Sequence, residues 1–166
     1  GIIEISTTPY YHPILPLLCD TGVARESMHD IALPSKRFTH PEDAEIQIKK
    51  AVEMFKCLFG HEPSGMWPSE GSVSMAMLPL AARAGIKWLA TDEEILSNTL
   101  RRPIRRDGHG NCTDTFLYRP YSIEVDGQPV SFIFRDHLLS DLIGFEYSRV
   151  NPEAAADDLV RRLETI

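Results

Sequence analysis

Cysteine is scarce in these 166 residues and poorly placed for cross-linking. Cys19, Cys57 and Cys112 are odd in number and widely spaced, with no C-x-x-C pair. Neither a disulfide framework nor a zinc site is suggested, and a reducing, cytoplasmic compartment is favoured. Positive charge is also short: 17 basic residues face 24 acidic ones, for a formal charge of -7. That balance argues against nucleic acid, whose phosphates are bound by clustered Lys and Arg. The basic cluster Arg101-Arg102-Pro103-Ile104-Arg105-Arg106 reads as a solvated loop. No apolar run approaches the ~20 residues of a membrane-spanning helix, so no membrane is implied. The histidines show no H-x-x-x-H or H-E-x-x-H spacing, and G-x-S-x-G, Walker and dinucleotide fingerprints are missing. No metal and no cofactor is therefore expected. Internal repeats and low-complexity tracts are absent too.

What is present suits an ordinary core. With 43% hydrophobic residues the chain can bury one, which fits a single domain. Residues 2–6 form a β-branched run broken by Pro9 and predict a strand. An aromatic, proline-rich loop follows over residues 7–16, the kind of segment in which sites are built. Residues 20–34 read as loop with a short helix. Residues 41–59 carry the clearest helical period, with Ala44, Ile48, Ala51, Val52 and Phe55 on one face, acids in the first turn and Gly60 as the stop. A second helix is predicted over residues 72–84, kinked by Pro79 and closed by Gly85. Residues 86–90 read as a buried strand before an acidic helix start. Residues 116–125 and 130–134 flank Asp126-Gly127-Gln128-Pro129 as a hairpin with a slightly long loop. Asn151-Pro152-Glu153 opens a last helix, with Asn151 as N-cap. Strands alternating with helices predict an α/β fold with mainly parallel strands and one local hairpin.

Several residues could carry chemistry. Glu70 lies in Gly65-Met66-Trp67-Pro68-Ser69-Glu70-Gly71, where breakers hold a carboxylate at a sharp turn and Trp67 can stack on a sugar face. Spacing alone better suits an acid that favours the dipole of the next helix. Glu4 falls within the first strand, where an acid is exposed, bonded or functional. His12 is a ligand donor or a packed loop histidine. Arg135, Asp136 and His137 end an apolar strand, the position where α/β folds build sites, unless Arg135 forms a structural ion pair.

Four segments taken together resemble glycoside hydrolase family 57, a group of α-glucan-acting enzymes. They are Gly1-Ile2-Ile3-Glu4-Ile5-Ser6-Thr7-Thr8-Pro9-Tyr10-Tyr11-His12-Pro13, Gly65-Met66-Trp67-Pro68-Ser69-Glu70-Gly71-Ser72, Trp88-Leu89-Ala90-Thr91-Asp92-Glu93, and Phe134-Arg135-Asp136-His137-Leu138-Leu139-Ser140-Asp141-Leu142-Ile143-Gly144-Phe145. The resemblance implies part of a distorted seven-stranded (β/α) barrel and a retaining hydrolase or transglycosylase acting on α-glucans or maltooligosaccharides. Glu70 matches the nucleophile and Trp67 the aromatic beside the sugar. Glu4 matches the acid of a Gly-Gln-Ile-Glu motif. His12, Arg135, Asp136 and His137 resemble cleft-lining positions.

Two family motifs, an N-terminal His-Gln-Pro and an Asp-Gly-Glu bearing the acid/base, have no match. Residues 1–166 thus read as an incomplete segment of one catalytic domain, cut at both ends. The segment itself is expected to be inactive, and exposed strand edges to favour self-association. A non-catalytic carbohydrate-binding or scaffold domain, with Trp67 and Tyr10 or Tyr11 as stacking rings, is the alternative. A polysaccharide deacetylase-like barrel ranks last, because it needs paired histidines. Hydrolysis, glucan transfer and branching are not separable from these residues.

Overall fold

A computed structural model describes residues 3–166, which group into two compact units. Unit 1 comprises residues 3–91 and 121–132, and unit 2 comprises residues 92–120 and 133–166.

Unit 1 holds the sheet. Its strands are β1 (Gly65–Met66), β2 (Trp88–Asp92), β3 (Tyr121–Val125) and β4 (Gln128–Arg135), in the order β1-β2-β4-β3. β1 and β2 are parallel, pairing Gly65 with Trp88 and Met66 with Leu89. β3 and β4 form the expected hairpin, from Tyr121 opposite Phe132 to Val125 opposite Gln128. Its loop is only Asp126-Gly127, both at positive φ (50° and 78°), the pair of left-handed residues that a type I′ turn demands. The ends of β2 and β4, Asp92 and Ile133–Arg135, belong to unit 2.

The helices of unit 1 are α1 (Leu15–Cys19), α2 (Ala24–Ser27), α3 (Pro41–Phe59) and α4 (Leu78–Arg83). α3 has the predicted bounds, buries Ala44, Ile48, Ala51 and Phe55, and ends at Gly60 in the left-handed conformation. Leu15, Ile48, Met66, Met77, Leu89 and Val130 are fully buried. α1 lies partly in what reads as loop, because Pro16 suits a first helical turn as well as a turn region.

Two expectations fail here. Residues 3–6 form no strand; among the described residues only Thr7 bridges, in parallel, to Met66. Strand propensity needs a partner ladder, and Ile3 and Ile5 stand 84% and 50% exposed instead of packed. Ile2 of that predicted strand lies outside the described residues. The helix expected over 72–84 shrinks to α4, because Pro79 sits in its first turn. A proline lacks the N–H needed further along a helix, so it starts this one and does not kink it.

Unit 2 carries α5 (Glu93–Leu100), α6 (His137–Asp141) and α7 (Pro152–Leu163), with a π turn at Leu142–Glu146 and a 3-10 turn at Tyr147–Arg149 between the last two. Asp92 caps α5, Asp136 caps α6, and Asn151 caps α7 by accepting from the N–H groups of Glu153 and Ala154. Leu96, Cys112, Phe116, Leu117 and Ala155 are buried. The basic cluster is not merely a solvated loop. Arg105 is bonded to the buried Asp114 at 2.8 Å, and the Arg102 guanidinium lies 4.1 Å from the Phe116 ring centroid. Arg106 joins a buried network with Glu93 and Asp136. Among the described residues, no helix is long and apolar enough to cross a membrane.

Candidate active site

In unit 1 the chain from Gly65 to Gly71 runs from β1 into a 3-10 turn at Ser69–Gly71. Gly65 is required by contact. A Cβ there would lie 1.9 Å from Cε2 of Trp88, so the indole rests directly on the glycine backbone. The same indole donates from Nε1 to Glu4 Oε1 at 2.9 Å. Glu4 is thus exposed and bonded, and it occupies irregular backbone where a strand was expected. Trp67 is half-buried, and its N–H donates to Thr7 O at 2.8 Å. That bond fastens the loop beginning at Thr7 to the segment that carries Glu70.

Glu70 itself adopts φ 56°, ψ 22°, the left-handed region that side-chain-bearing residues avoid. The reading of Glu70 as a helix-start acid does not hold, since the next helix begins only at Leu78. His12 shares the unusual backbone, with φ 58°. The two meet: His12 Nε2 lies 3.2 Å from Glu70 Oε1, while Thr8 Oγ1 lies 3.4 Å from His12 Nδ1. Of the four non-glycine residues at positive φ among the described residues, two therefore face each other through their side chains. Strained backbone of this kind costs about 1–3 kcal/mol per residue and clusters at functional sites. The Glu70 side chain is 71% exposed, so a solute can reach it. Beside it, Ser69 is fully buried and its Oγ has no hydrogen-bond partner among the described residues.

Unit 2 has a different polar centre, in which consecutive residues alternate between an outer and an inner layer. Outside, Asp92 accepts from Arg135 Nε at 2.6 Å and lies 3.3 Å from His137 Nδ1, whose Nε2 is 3.1 Å from Asp141. Burial opposes ionisation of Asp92, but the bonds from Arg135, the Glu94 N–H and His137 outweigh it and hold the carboxyl below its ordinary range. Inside, Arg106 bridges Glu93 at 2.5 Å and Asp136 at 3.1 Å. Tyr118 donates to Asp136 at 2.7 Å, and Leu139 N–H donates to it at 3.1 Å. Burial first, then the bond to Asp136, pushes the Tyr118 hydroxyl far above the ordinary tyrosine range. The His137 N–H donates to Glu93, so the inner layer also fixes the backbone of an outer residue.

The six expected site residues besides Glu70 thus separate. His12 reaches Glu70, and Trp67 and Glu4 lie in the same unit. Arg135 and His137 share Asp92. Asp136 does not line open surface: it is buried, and its oxygens are taken by Arg106, Tyr118 and Leu139. Asp92, Glu93, Arg106 and Tyr118 went unnoticed as site residues. The Asp92-Glu93 pair was visible as an acidic helix start, and Arg106 was hidden inside a charge run. Among the described residues no group of three or more His, Cys, Asp or Glu could hold a metal ion.

The sequence model for the family described as Glycosyl hydrolase family 57 matches residues 1–166. None of the curated proteins compared matches the chain. Among solved structures, the chain is similar to the 4-alpha-glucanotransferase from Thermococcus litoralis, with 21% identity and a TM-score of 0.55 over 87% of this chain and 18% of that one. It is also similar to the alpha-amylase AmyC from Thermotoga maritima, at 20% identity and TM-score 0.53 over 84% of this chain and 21% of that one. A GH57-type branching enzyme from Pyrococcus horikoshii gives 17% identity and TM-score 0.53, over 84% and 22% of the two chains. The chain therefore spans about a fifth of the length of these relatives.

Proposed function

Because the chain belongs to glycosyl hydrolase family 57, we propose that it supplies the nucleophile of a retaining enzyme that cleaves or transfers α-glucans, and that Glu70 is that nucleophile. The observation that carries this reading is the pair of strained residues, His12 and Glu70, meeting at 3.2 Å with Glu70 open to solutes. One oxygen of Glu70 faces His12. The other, Oε2, accepts no hydrogen bond among the described residues and is available to attack an anomeric carbon. With Nε2 protonated, His12 donates to Oε1 and fixes the direction of the carboxylate.

A retaining mechanism needs a second carboxyl group about 5 Å away, first to protonate the leaving oxygen and then to activate the incoming hydroxyl. The Asp-Gly-Glu motif expected to bear that group has no match in these residues, so we assign the proton donor to another part of the enzyme, in a (β/α) barrel of which this chain is a segment. Trp67 provides an apolar ring for a sugar face. Within unit 1, Glu4 contacts sugar hydroxyls; within unit 2, Asp136 holds backbone in place.

The test uses the whole enzyme that carries this chain, with maltooligosaccharides as substrate. Glu70→Gln keeps the shape and removes the charge; turnover should fall by at least about 10³-fold, as for other single catalytic-group deletions. Retained turnover in the variant would remove the nucleophile assignment. Clear turnover by the 166-residue chain alone would remove the need for an outside proton donor.

A further inference from the structure

Immediately before His12 the chain makes a tight turn whose two central residues are tyrosines. His12 N–H donates to Pro9 O at 2.9 Å and closes it. The turn is pinned to α3 at one residue: Tyr10 N–H donates to the Gln47 carbonyl at 3.3 Å, and Tyr11 N–H to Gln47 Oε1 at 2.9 Å. The rings nevertheless stay outside, 40% and 71% exposed, and pack edge to face with centroids 4.7 Å apart. Lys50, one turn along α3, places its ammonium 5.8 Å and 5.5 Å from the two centroids. It makes no ion pair with a carboxylate among the described residues.

This combination differs from the other exposed aromatics of unit 1. Phe38 leans on His40 and Phe59 on Phe55, and neither ring carries a hydroxyl. The tyrosine pair offers an apolar face, two hydroxyls and an unpaired cation on a backbone that is already ordered. A pyranose ring has the complementary form, with C–H groups on its face and hydroxyls around its rim. Stacking on a pre-ordered ring avoids most of the ordering entropy that a flexible loop would lose.

We propose that Tyr10 and Tyr11 form a sugar-stacking platform that holds a glucose ring of a longer α-glucan, outside the ring that reaches Glu70. Tyr11 supplies the stacking face, and Lys50 and the tyrosine hydroxyls supply hydrogen bonds to the rim. The proposal rests on the α-glucan reading above and deepens it, since the platform and the reacting carboxylate are joined through His12.

The experiment titrates the purified chain with maltose through maltoheptaose, following affinity by calorimetry and the tyrosine ring signals by NMR. Affinity should rise with chain length, and the Tyr10 and Tyr11 ring signals should shift with the longer ligands. Tyr11→Ala should weaken maltoheptaose binding about three- to tenfold, while Tyr11→Phe should keep most of the affinity. If the chain binds maltoheptaose and Tyr11→Ala binds it equally well, the platform is overturned and the α-glucan reading stands. If the unaltered chain shows no length-dependent binding, the platform falls together with glucan binding by this chain, whereas the nucleophile assignment is judged separately by Glu70→Gln turnover.

Discussion

The two polar centres differ in how completely they are satisfied. In the unit 2 centre the buried charges are paired: Arg106 lies between Glu93 and Asp136, Arg135 on Asp92, and Arg105 on Asp114. In unit 1, Glu70 has one hydrogen-bonding side chain among the described residues, a histidine, and both groups sit on backbone that resists their side chains. Buried charge in a protein has to be paired, and pairing leaves it chemically quiet. An exposed carboxylate with a free oxygen and a strained backbone costs stability and retains reactivity. The contrast separates groups that hold structure from the group that we propose reacts.

The sharpest way to break the contrast is to remove the bridging cation. Arg106 is 23% exposed, and Glu93 and Asp136 are 10% and 5% exposed at their side chains. Arg106→Met keeps the stem but leaves two carboxylates buried without their partner. The expected loss is about 3–5 kcal/mol of stability, the usual result of orphaning a buried charge. Urea unfolding of the variant measures it. A loss below about 1 kcal/mol would mean that the network is solvated and that unit 2 is no better satisfied than unit 1.

These centres were unequally legible in the sequence. α3 could be read to the residue because a 3.6-residue apolar period, acids at one end and a glycine at the other all agree. Asn151-Pro152 located α7 by capping chemistry alone. Glu70 stood out because glycines and a proline surround it, but its bond to His12 joins residues 58 positions apart, and no local pattern encodes that. Arg106 was missed for the same reason: its partners come from the segments at 93 and 136, so a run of arginines looked solvated. Gly65 read as a generic breaker, whereas its function is to admit Trp88, which only the pairing of β1 with β2 reveals.

Acid gives a milder test of the same contrast. Asp114 is buried at its side chain. The side chain and N–H of Arg105 lower its carboxyl to about 2, and Arg102 adds to the effect. A carboxyl depressed in the folded state contributes stability that is present above its unfolded value near pH 4 and is lost as pH falls through the folded value. Stability should therefore decline between about pH 4 and about pH 2. In Asp114→Asn part of that slope should vanish, with lower stability at pH 7. An unchanged slope in that variant would detach Asp114 from acid unfolding.

The smallest effect has the opposite sign and bears most directly on Glu70. A left-handed backbone costs a side-chain-bearing residue about 1–2 kcal/mol, and glycine removes that cost while adding roughly 0.5–1 kcal/mol of unfolded-state entropy. The hydrogen bond to His12 joins two exposed groups, so its removal subtracts little. Glu70→Gly should thus be as stable as the parent chain, or more stable by up to about 1 kcal/mol, when urea unfolding of the two is compared. A residue kept for structure would behave like Arg106 and destabilise the chain on replacement. If Glu70→Gly instead loses more than about 1 kcal/mol, Glu70 is a structural member of its turn, and its strain no longer supports a reactive role. Stability that holds or rises in this variant, alongside turnover that collapses in Glu70→Gln, is the combination that a reacting group produces and a structural one cannot.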